Sequence, residues 1–535
     1  MRLSVRSLDS KKCNLTPLAL LVACTLLTLT GCHIPGLRKG KGAPPMPDNY
    51  NGVAMIENSA LIGPCEFFND PVLIGLIDQA LVGNQQLRIL SEDIAIANNE
   101  VLRARGAYLP FFSLGAKAGI DKSSEFTPMG AAERQLTSPR GPFPDPLPNF
   151  MVNADITWQV DIWRQLRNAR DAQQFRFLGT QDGFNYTVTR LIADIAENYY
   201  TLMALDQQQL TLDQTISLQQ TSIDFAKARK EAARDTELAV QRFQAEVRRN
   251  QSEKYIIAQK IVETENRINY LLGRFPQPVE RLRGDFLNLR LQPLAIGAPA
   301  HLLQNRFDVR QAERELQAAG LDVNVARADF YPKLFLTAGV GYEAFNTKYL
   351  FLTPESLIYG ATAGLTAPVI NRSAISAEYM NANARQLQAL YEYQRTVINA
   401  FTEVVNQFSK VDNYSRSIDI KRQQLTALES AVSVSGLLFQ NARIEYLDVL
   451  TSQRDRNEAR MILIDTKKEQ LAGIVNAYQA LGGGLPRAQF PQGMLLLPPD
   501  AAAGNAKPEP QPEEIPKPKA PVQLNAPMPP MPPMP

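Results

Sequence analysis

A cysteine near the N terminus has the surroundings that covalent lipid attachment requires. Cys32 follows Gly31 at the end of the apolar run Leu15–Leu29, and basic residues precede that run. A charged start, a short apolar segment and a small residue before the cleavage point are the pattern of a secretory signal peptide, and a run of this length is too short to cross a bilayer as a helix. We therefore predict that residues 1–31 are a lipoprotein signal peptide and that Cys32 is the lipid attachment residue.

The residue after this cysteine bears on which membrane the anchor enters. Position 33 is His rather than the Asp that is associated with retention in the inner membrane, so the sequence favours the outer membrane. Several acyl chains on one residue anchor a protein firmly, because each buried methylene contributes about 0.8 kcal/mol. The alternative is an uncleaved anchor in which the cysteine is incidental.

The other residues that could act as nucleophiles or metal ligands are isolated. The two histidines are His33 and His301, and Cys65 is the one cysteine after Cys32, so we expect it to be a buried, unreactive thiol. The sequence has no Gly-rich phosphate loop, no His/Cys cluster with metal-ligand spacing and no nucleophile elbow. A net charge of +2 excludes a nucleic-acid-binding footprint. These features predict a protein that is not an enzyme and that binds no cofactor, metal ion or nucleic acid.

One sequence unit occurs twice and changes its hydrophobic period at a proline. In the copies at 99–119 and 321–341, apolar and small residues recur at helical spacing up to Pro110 and Pro332, and alternate with polar residues afterwards. Proline cannot continue a helix and holds its predecessor in an extended conformation, so each copy predicts a helix that runs directly into a strand. The duplication predicts a chain built from two internal repeats.

Four segments of alternating hydrophobicity predict strands with one apolar and one polar face. Each is about ten residues long, which is the length that a tilted strand needs to cross a bilayer. The alternative is a half-buried sheet of a soluble protein, but long helices feed both pairs of segments. The predicted strands lie at 111–121, 150–160, 333–343 and 357–367.

Long segments with few helix breakers follow each strand pair. Residues 162–230 and 374–441 predict helices of some 65 residues, on the order of 100 Å long. A shorter helix follows each one, at 236–272 and 445–481. A globular domain has little use for such lengths, whereas a protein that spans the space between two membranes does.

Composition divides the chain into six parts. Residues 1–31 are the predicted signal peptide, and a Gly/Pro/Asn-rich leader follows it. The C-terminal part is rich in Pro, Ala, Lys and Glu, and such a composition does not bury enough apolar surface to fold. The parts after the signal peptide are the leader at 32–66, the first repeat at 67–274, a Pro-rich linker at 275–299, the second repeat at 300–484 and the tail at 485–535.

The strand number of one chain predicts association of several copies. Four strands leave two open sheet edges, which a lipid environment does not tolerate, so other copies must pair with them. Two copies would give eight strands, a barrel that its own side chains mostly fill. Three copies would give twelve strands and a lumen, with contacts that repeat around one axis.

Several short segments between residues 67 and 484 together resemble the TolC-like outer membrane factors, above all the lipoproteins that serve RND-type efflux pumps. The sequence departs from the family at Phe307, where proline is usual, and at Ile162-Trp-Arg164, where Leu-Phe-Gly is common. The segments that carry the resemblance are Phe68-Asn-Asp-Pro71, Arg105-Gly-Ala-Tyr-Leu-Pro110, Arg306-Phe-Asp-Val-Arg-Gln-Ala-Glu313, Tyr446-Leu-Asp-Val-Leu-Thr-Ser-Gln-Arg454 and Ala480-Leu-Gly-Gly-Gly484.

The resemblance implies a mainly α-helical protein with a transmembrane β-barrel. Three copies would form a twelve-stranded barrel in the outer membrane, and a long α-helical barrel would continue it into the periplasm. The implied partners are a periplasmic adaptor protein, an inner-membrane RND-type pump and outer membrane lipid. The implied function is that of a passive exit duct for small amphipathic compounds. The alternatives are the exit duct of a type I protein secretion system and a periplasm-spanning structural lipoprotein that does not conduct.

The resemblance also implies a closed aperture at the periplasmic tip, near residues 439–448. Asp448 matches a family aperture aspartate, and three-fold symmetry would bring its copies into a carboxylate ring of the kind that selects for cations. Arg443 and Glu445 are candidates for ties between neighbouring helices. The alternative is a set of solvated charges at an ordinary helix turn.

Overall fold

The structure, a computed structural model, describes residues 34–42, 44–50, 59–138, 141–233, 236–282, 284–295, 297–368, 372–441 and 443–485. The predicted signal peptide (1–31), the lipid attachment residue Cys32 and all but the first residue of the predicted tail (485–535) lie outside these residues. The predicted leader (32–66) is described in part.

Helices make up most of the described chain. None of them, within those residues, combines the length and apolar character needed to cross a membrane. Short 3-10 turns lie at Ser59–Leu61, Phe286–Asn288 and Pro299–His301. The α-helices are α1 (Pro64–Phe68), α2 (Pro71–Gly83), α3 (Gln85–Ala107), α4 (Pro128–Glu133), α5 (Gln165–Glu231), α6 (Glu237–Leu271), α7 (Leu302–Asn305), α8 (Phe307–Ala328), α9 (Ser373–Gln440) and α10 (Tyr446–Ala480).

The first helical segment is broken once. Asp70 caps α2 by accepting hydrogen bonds from the N–H groups of Val72 and Leu73, at 2.9 and 3.1 Å. The sequence predicts one helix from there to Pro110, which is wrong, because Asn84 ends α2 and starts α3. Its Oδ1 accepts from the N–H of Leu87 at 3.0 Å and its Nδ2 donates to the carbonyl of Leu271 at 2.7 Å.

The sequence also predicts a helix near 300–330, and the structure breaks it at Arg306. This residue has an extended backbone between α7 and α8, with φ −84° and ψ 122°. Its side chain is 2% exposed and donates to Asp308, to Glu403 of α9 and to the carbonyl of Ala480 at the end of α10. The break therefore serves to direct a buried guanidinium toward two other elements.

Two long helices organise the packing. α5 and α9 contain 67 and 68 residues, and each is on the order of 100 Å long. α5 contacts α3 and α8 as well as α6 and α10, while α9 contacts α8 and α10. The buried residues form short clusters along these helices, such as the one at Ile223, Ala226, Val240, Phe243 and Val247.

The strands form one four-stranded antiparallel sheet in the order β1–β4–β5–β6. The pairing of β4 with β5 joins the first half of the chain to the second. Compared with the predicted bounds, β4 starts three residues earlier and β6 ends one residue earlier. The strands are β1 (Phe111–Asp121), the two-residue β2 (Thr137–Ser138) and β3 (Gly141–Pro142), β4 (Leu147–Val160), β5 (Lys333–Ala344) and β6 (Leu357–Thr366).

A carboxylate redirects the chain from β4 into α5. Asp161 accepts hydrogen bonds from the N–H groups of Leu166 and Arg167, both at 3.0 Å, and its side chain also pairs with that of Arg167. Between them, Arg164 has a φ of +57°. This conformation favours glycine, which is the residue that the resembled family often has at this position.

Cys65 is exposed on α1, so the expectation of a buried thiol is wrong. The helix has five residues, and Phe67 and Phe68 take up its buried side at 0% and 4% exposure. Pro64 is buried as well, and the remaining two positions of this short helix, Cys65 and Glu66, face solvent.

Lys467 on α10 is buried without a counter-charge in the described residues. Its Nζ donates to Gln470 of the same helix at 2.9 Å. Burial, together with the positive charges of Arg422 and Arg290, lowers the pKa of the Lys467 ammonium to about 8. Below that pH the folded protein carries a buried charge that destabilises it.

Replacing this lysine should stabilise the protein. Between pH 8 and the unfolded pKa of about 10.4, the unfolded chain binds a proton that the folded chain does not, so the free energy of unfolding should rise with pH across this window. Lys467→Met should raise the Tm at pH 7 and remove this rise, with exposed Lys260→Met as the control. Thermal unfolding at pH 7 and pH 9.5 measures both. A lower Tm for the Met variant at pH 7 would contradict the prediction.

Candidate functional site

One face of the sheet is apolar across all four strands. Residues that lie opposite each other in antiparallel strands point to the same side, and the pairing aligns Leu114, Ala154, Val340 and Tyr359 in one row. The rows on either side have the same character. The members of this face are Phe112, Leu114, Ala116, Ala118 and Ile120 in β1, Pro148, Phe150, Val152, Ala154, Ile156, Trp158 and Val160 in β4, Leu334, Leu336, Ala338, Val340, Tyr342 and Ala344 in β5, and Leu357, Tyr359, Ala361, Ala363 and Leu365 in β6.

The opposite face of the sheet consists mostly of polar residues and glycines. One row aligns Thr157, Thr337 and Thr362, and near the far end of the sheet the Nδ2 of Asn149 donates to the carboxylate of Glu343 at 2.7 Å. Exceptions to the pattern are Phe111, Leu147, Met151, Phe335 and Ile358. The polar members are Ser113, Lys117, Asp121, Asn149, Asn153, Asp155, Thr157, Gln159, Lys333, Thr337, Glu343, Thr362 and Thr366.

The apolar face is open in the single chain. Leu114 is 78% exposed, Tyr359 83% and Leu365 68%. The outer strands β1 and β6 each pair on one side only. A continuous exposed apolar face marks a surface that contacts another apolar phase or molecule, and an open strand edge is a template for another strand.

The two helix turns remote from the sheet lie side by side. One lies between the end of α5 and the start of α6, and the other between the end of α9 and the start of α10. The rings of Phe225 and Phe439 are 5.7 Å apart, and those of Phe243 and Tyr446 are 6.5 Å apart. These aromatic contacts join the two helical hairpins at their ends, and we call this region the tip.

Arg229 links the two hairpins at the tip. Its Nη1 donates to the carbonyl of Phe439 at 2.9 Å, and its guanidinium carbon lies 4.6 Å from the centre of the Phe439 ring. Within the first hairpin, Lys230 at the end of α5 pairs with Glu237 at the start of α6. Hydrogen bonds from Lys230 and Gln241 hold the pKa of the Glu237 carboxyl below its usual value.

The predicted aperture residues lie together at the start of α10. Arg443, Glu445 and Asp448 are all exposed. Asp448 is in the first turn of the helix, where the helix dipole favours a carboxylate, and its N–H donates to the carbonyl of Glu445 at 3.2 Å. Among the described residues, none of these three side chains forms an ion pair within the chain, so they are available to other copies or to ions.

Sequence reasoning missed the Arg229 contact. Arg229 and Phe439 are 210 residues apart, and no local pattern indicates such a pair. The Lys230–Glu237 pair had a signal, because a cation in the last turn of one helix and a carboxylate in the first turn of the next both suit the helix dipoles.

A family model covers both halves of this architecture. The model for outer membrane efflux proteins matches residues 76–274 and 298–483, which is more than half of the chain. The chain belongs to the outer membrane efflux protein family. Its place in the cell is therefore the outer membrane.

Relatives of this efflux protein match it over nearly their full length. It is 24% identical over 476 residues to the cation efflux system protein CusC of Escherichia coli, which covers 88% of this chain and 99% of CusC. It is 26% identical over 468 residues to the pyoverdine export outer membrane protein OpmQ of Pseudomonas aeruginosa, which covers 87% and 96%. The open state of the Neisseria gonorrhoeae MtrE outer membrane channel matches 85% of this chain and 99% of its own at 21% identity, with a TM-score of 0.73. The efflux protein therefore shares the fold of these channels.

Three segments that resemble the family, or the residues directly beside them, meet at one place in this efflux protein. The ring of Phe67 stacks on Tyr478 at 3.9 Å, and the hydroxyl of Tyr478 donates to the carbonyl of Ile62 at 2.6 Å. Gly482 has a φ of +91°, and a Cβ there would lie 2.6 Å from the carbonyl oxygen of Asn305. Arg306 in turn donates to the carbonyl of Ala480 at the end of α10. We call this group of contacts the Arg306 cluster. It holds together the segment around Ile62 and Phe67, the break between α7 and α8, and the glycines that follow α10.

Proposed function

We propose that three copies of this efflux protein form a passive exit duct from the periplasm to the exterior. The open edges of β1 and β6 would pair with those of neighbouring copies and close a twelve-stranded barrel. The long helices would form the periplasmic continuation. The observation that carries this proposal is the two-faced sheet, whose apolar face suits lipid and whose polar face suits a water-filled lumen.

We propose that the duct serves a tripartite pump. A periplasmic adaptor and an inner-membrane RND-type pump would open the tip and supply the energy, and the duct itself would perform no catalysis. Relatives are named for efflux or export of cations, pyoverdine and toluene, so one fold is used for different cargo. This variety supports a duct of low selectivity, and we propose small amphipathic compounds as its cargo.

A dye accumulation assay tests this function. Cells that lack the protein should accumulate an amphipathic fluorescent dye severalfold more than cells that contain it, and expression of the full chain should restore export. The same cells should secrete proteins normally. Normal dye export in its absence, together with loss of a secreted protein, would instead support a protein secretion duct.

We propose that the mature protein starts at Cys32 and is anchored there by lipid. The supporting observation is the Leu-Thr-Gly-Cys ending of the apolar run. Mass spectrometry of the mature N terminus should find an acylated Cys32, and Cys32→Ala should remove the lipid mass. An unmodified N terminus at another residue would overturn this part of the proposal.

We propose that Asp448 forms a carboxylate ring at the tip, with Arg443 and Glu445 tying neighbouring helices beside it. Its exposure and its position at the start of α10 support this role. Asp448→Asn should reduce the preference for cations and the block by multivalent cations in single-channel recordings, because the ring loses its negative charge. Asp455→Asn, an exposed carboxylate two turns further along α10, is the control. Unchanged selectivity and block in an intact trimer would place the constriction elsewhere.

A further inference from the structure

Positive charge is concentrated where the strands meet the helices. We define the junction rim as residues 100–111, 158–171 and 327–333, which surround the ends of β1, β4 and β5 on the helix side of the sheet. Arg105 and Arg327 each lie six residues before the first residue of a strand, and Arg164 lies four residues after the last residue of β4. All three are exposed.

These three arginines have no carboxylate partner among the described residues. Each carboxylate of the junction rim forms an ion pair with a different basic residue. The three arginines therefore give the junction rim an excess of positive charge. The pairs are Glu100 with Arg103, Asp161 with Arg167, Asp171 with Arg170, and Asp329 with Lys333.

Aromatic side chains lie at the same level. The Nε1 of Trp158 donates to the carbonyl of Tyr108 at 2.9 Å. That of Trp163 donates to the carbonyl of Pro332 at 2.7 Å, and its ring stacks on Tyr331 at 4.7 Å. Trp158 and Trp163 are the two tryptophans of the whole chain. Tryptophan and tyrosine are enriched at membrane–water interfaces, so these contacts indicate the headgroup level.

The opposite end of the sheet has a different charge pattern. There Lys122 lies 3.5 Å from Asp145 and Arg134 lies 3.0 Å from Glu125. The loops at that end carry both signs of charge. An excess of arginine is therefore a property of the helix end of the sheet and not of both ends.

We propose that the junction rim binds the headgroups of anionic phospholipids in the periplasmic leaflet, with Arg105, Arg164 and Arg327 as the contacts. This inference rests on the proposed function, because it requires the apolar face of the sheet to lie in the outer membrane. A guanidinium donates two parallel hydrogen bonds to a phosphate. Clustered basic residues beside a membrane attract anionic lipid, and salt weakens the attraction.

The position of both tryptophans allows a direct test in the full-length lipidated protein. The protein is reconstituted into phosphatidylcholine vesicles, and brominated phosphatidylcholine or brominated phosphatidylglycerol is then added. Its tryptophan fluorescence is measured, because bromine quenches tryptophan on contact. The wild type should show a preference of about fivefold for the anionic lipid that high salt reduces. The combined variant Arg105→Gln, Arg164→Gln and Arg327→Gln should lose the preference, while Arg242→Gln, Arg248→Gln and Arg454→Gln, exposed arginines of α6 and α10, should keep it.

The outcomes separate this inference from the function on which it rests. Equal quenching of the wild type by both lipids would overturn the inference and leave the membrane-embedded sheet intact. Quenching by neither lipid would count against the embedded sheet itself. A preference that survives in the rim variant would assign lipid binding to other residues. A rim variant that dissociates into single copies would show that the arginines pair with a neighbouring copy, which also overturns the inference.

Discussion

Arg306→Met should lower the free energy of unfolding by about 3–5 kcal/mol, the cost of removing one partner from a buried ion pair. Arg306 is 2% exposed and bonds to Asp308 at 2.7 Å, to Glu403 at 2.8 Å and to the carbonyl of Ala480 at 2.9 Å. Methionine fills a similar volume but leaves these three acceptors without their donor. Thermal and denaturant unfolding followed by circular dichroism should show the loss.

A matched substitution separates burial from the mere loss of an arginine. Arg395 on α9 pairs with Glu392, but both side chains are more than half exposed, and such pairs contribute at most about 1 kcal/mol. Arg395→Met should therefore change stability little. Arg306→Lys should fall between the two, since lysine keeps the charge but not the paired donors. If Arg306→Met and Arg395→Met had equal small effects, the Arg306 cluster would not hold the elements around it together as described above.

Arg229→Ala should open the tip. The variant loses a charged hydrogen bond to the carbonyl of Phe439 and the contact with its ring. Hydrogen bonds of charged groups contribute about 1.5–3 kcal/mol, and each 1.4 kcal/mol changes a ratio of two states tenfold. We expect at least about a tenfold increase in the open fraction of the tip. Cells with the variant should become correspondingly sensitive to a large polar antibiotic that the outer membrane excludes.

Lys227→Ala is the control for this prediction. Lys227 lies two residues before Arg229 on the same helix and is exposed, so its loss removes the same charge without touching the second hairpin. The two variants are compared at equal protein amounts in the membrane. Equal sensitivity of both variants would show that charge near the tip matters and that the link to Phe439 does not.

Local pattern predicted the faces of the strands but not the arrangement of the sheet. The alternation around Leu114 and Val340 indicated which side chains share a face in each strand. That β4 pairs with β5, more than 170 residues further along the chain, follows from the packing of both halves together. No pattern within either strand specifies that partner.

The helix interruptions had signals of different strength. The break at Asn84 follows Gly83, a pair that suits a helix end and a new N-cap. Its fixing contact, however, is to the carbonyl of Leu271, 187 residues away. Arg306 had no comparable local signal, because its acceptors at Glu403 and Ala480 come from other helices. In both cases a contact with a distant element holds the break in place.

We propose that copies of this chain enclose a water-filled duct through the outer membrane that is closed at the tip. The most direct measurement is single-channel recording of the protein purified from outer membranes, in planar bilayers, beside its Arg229→Ala variant. We predict a small, cation-selective conductance for the wild type and a severalfold larger one for the variant. Absence of conductance from both proteins, inserted as intact assemblies, would contradict the account and support a structural lipoprotein instead.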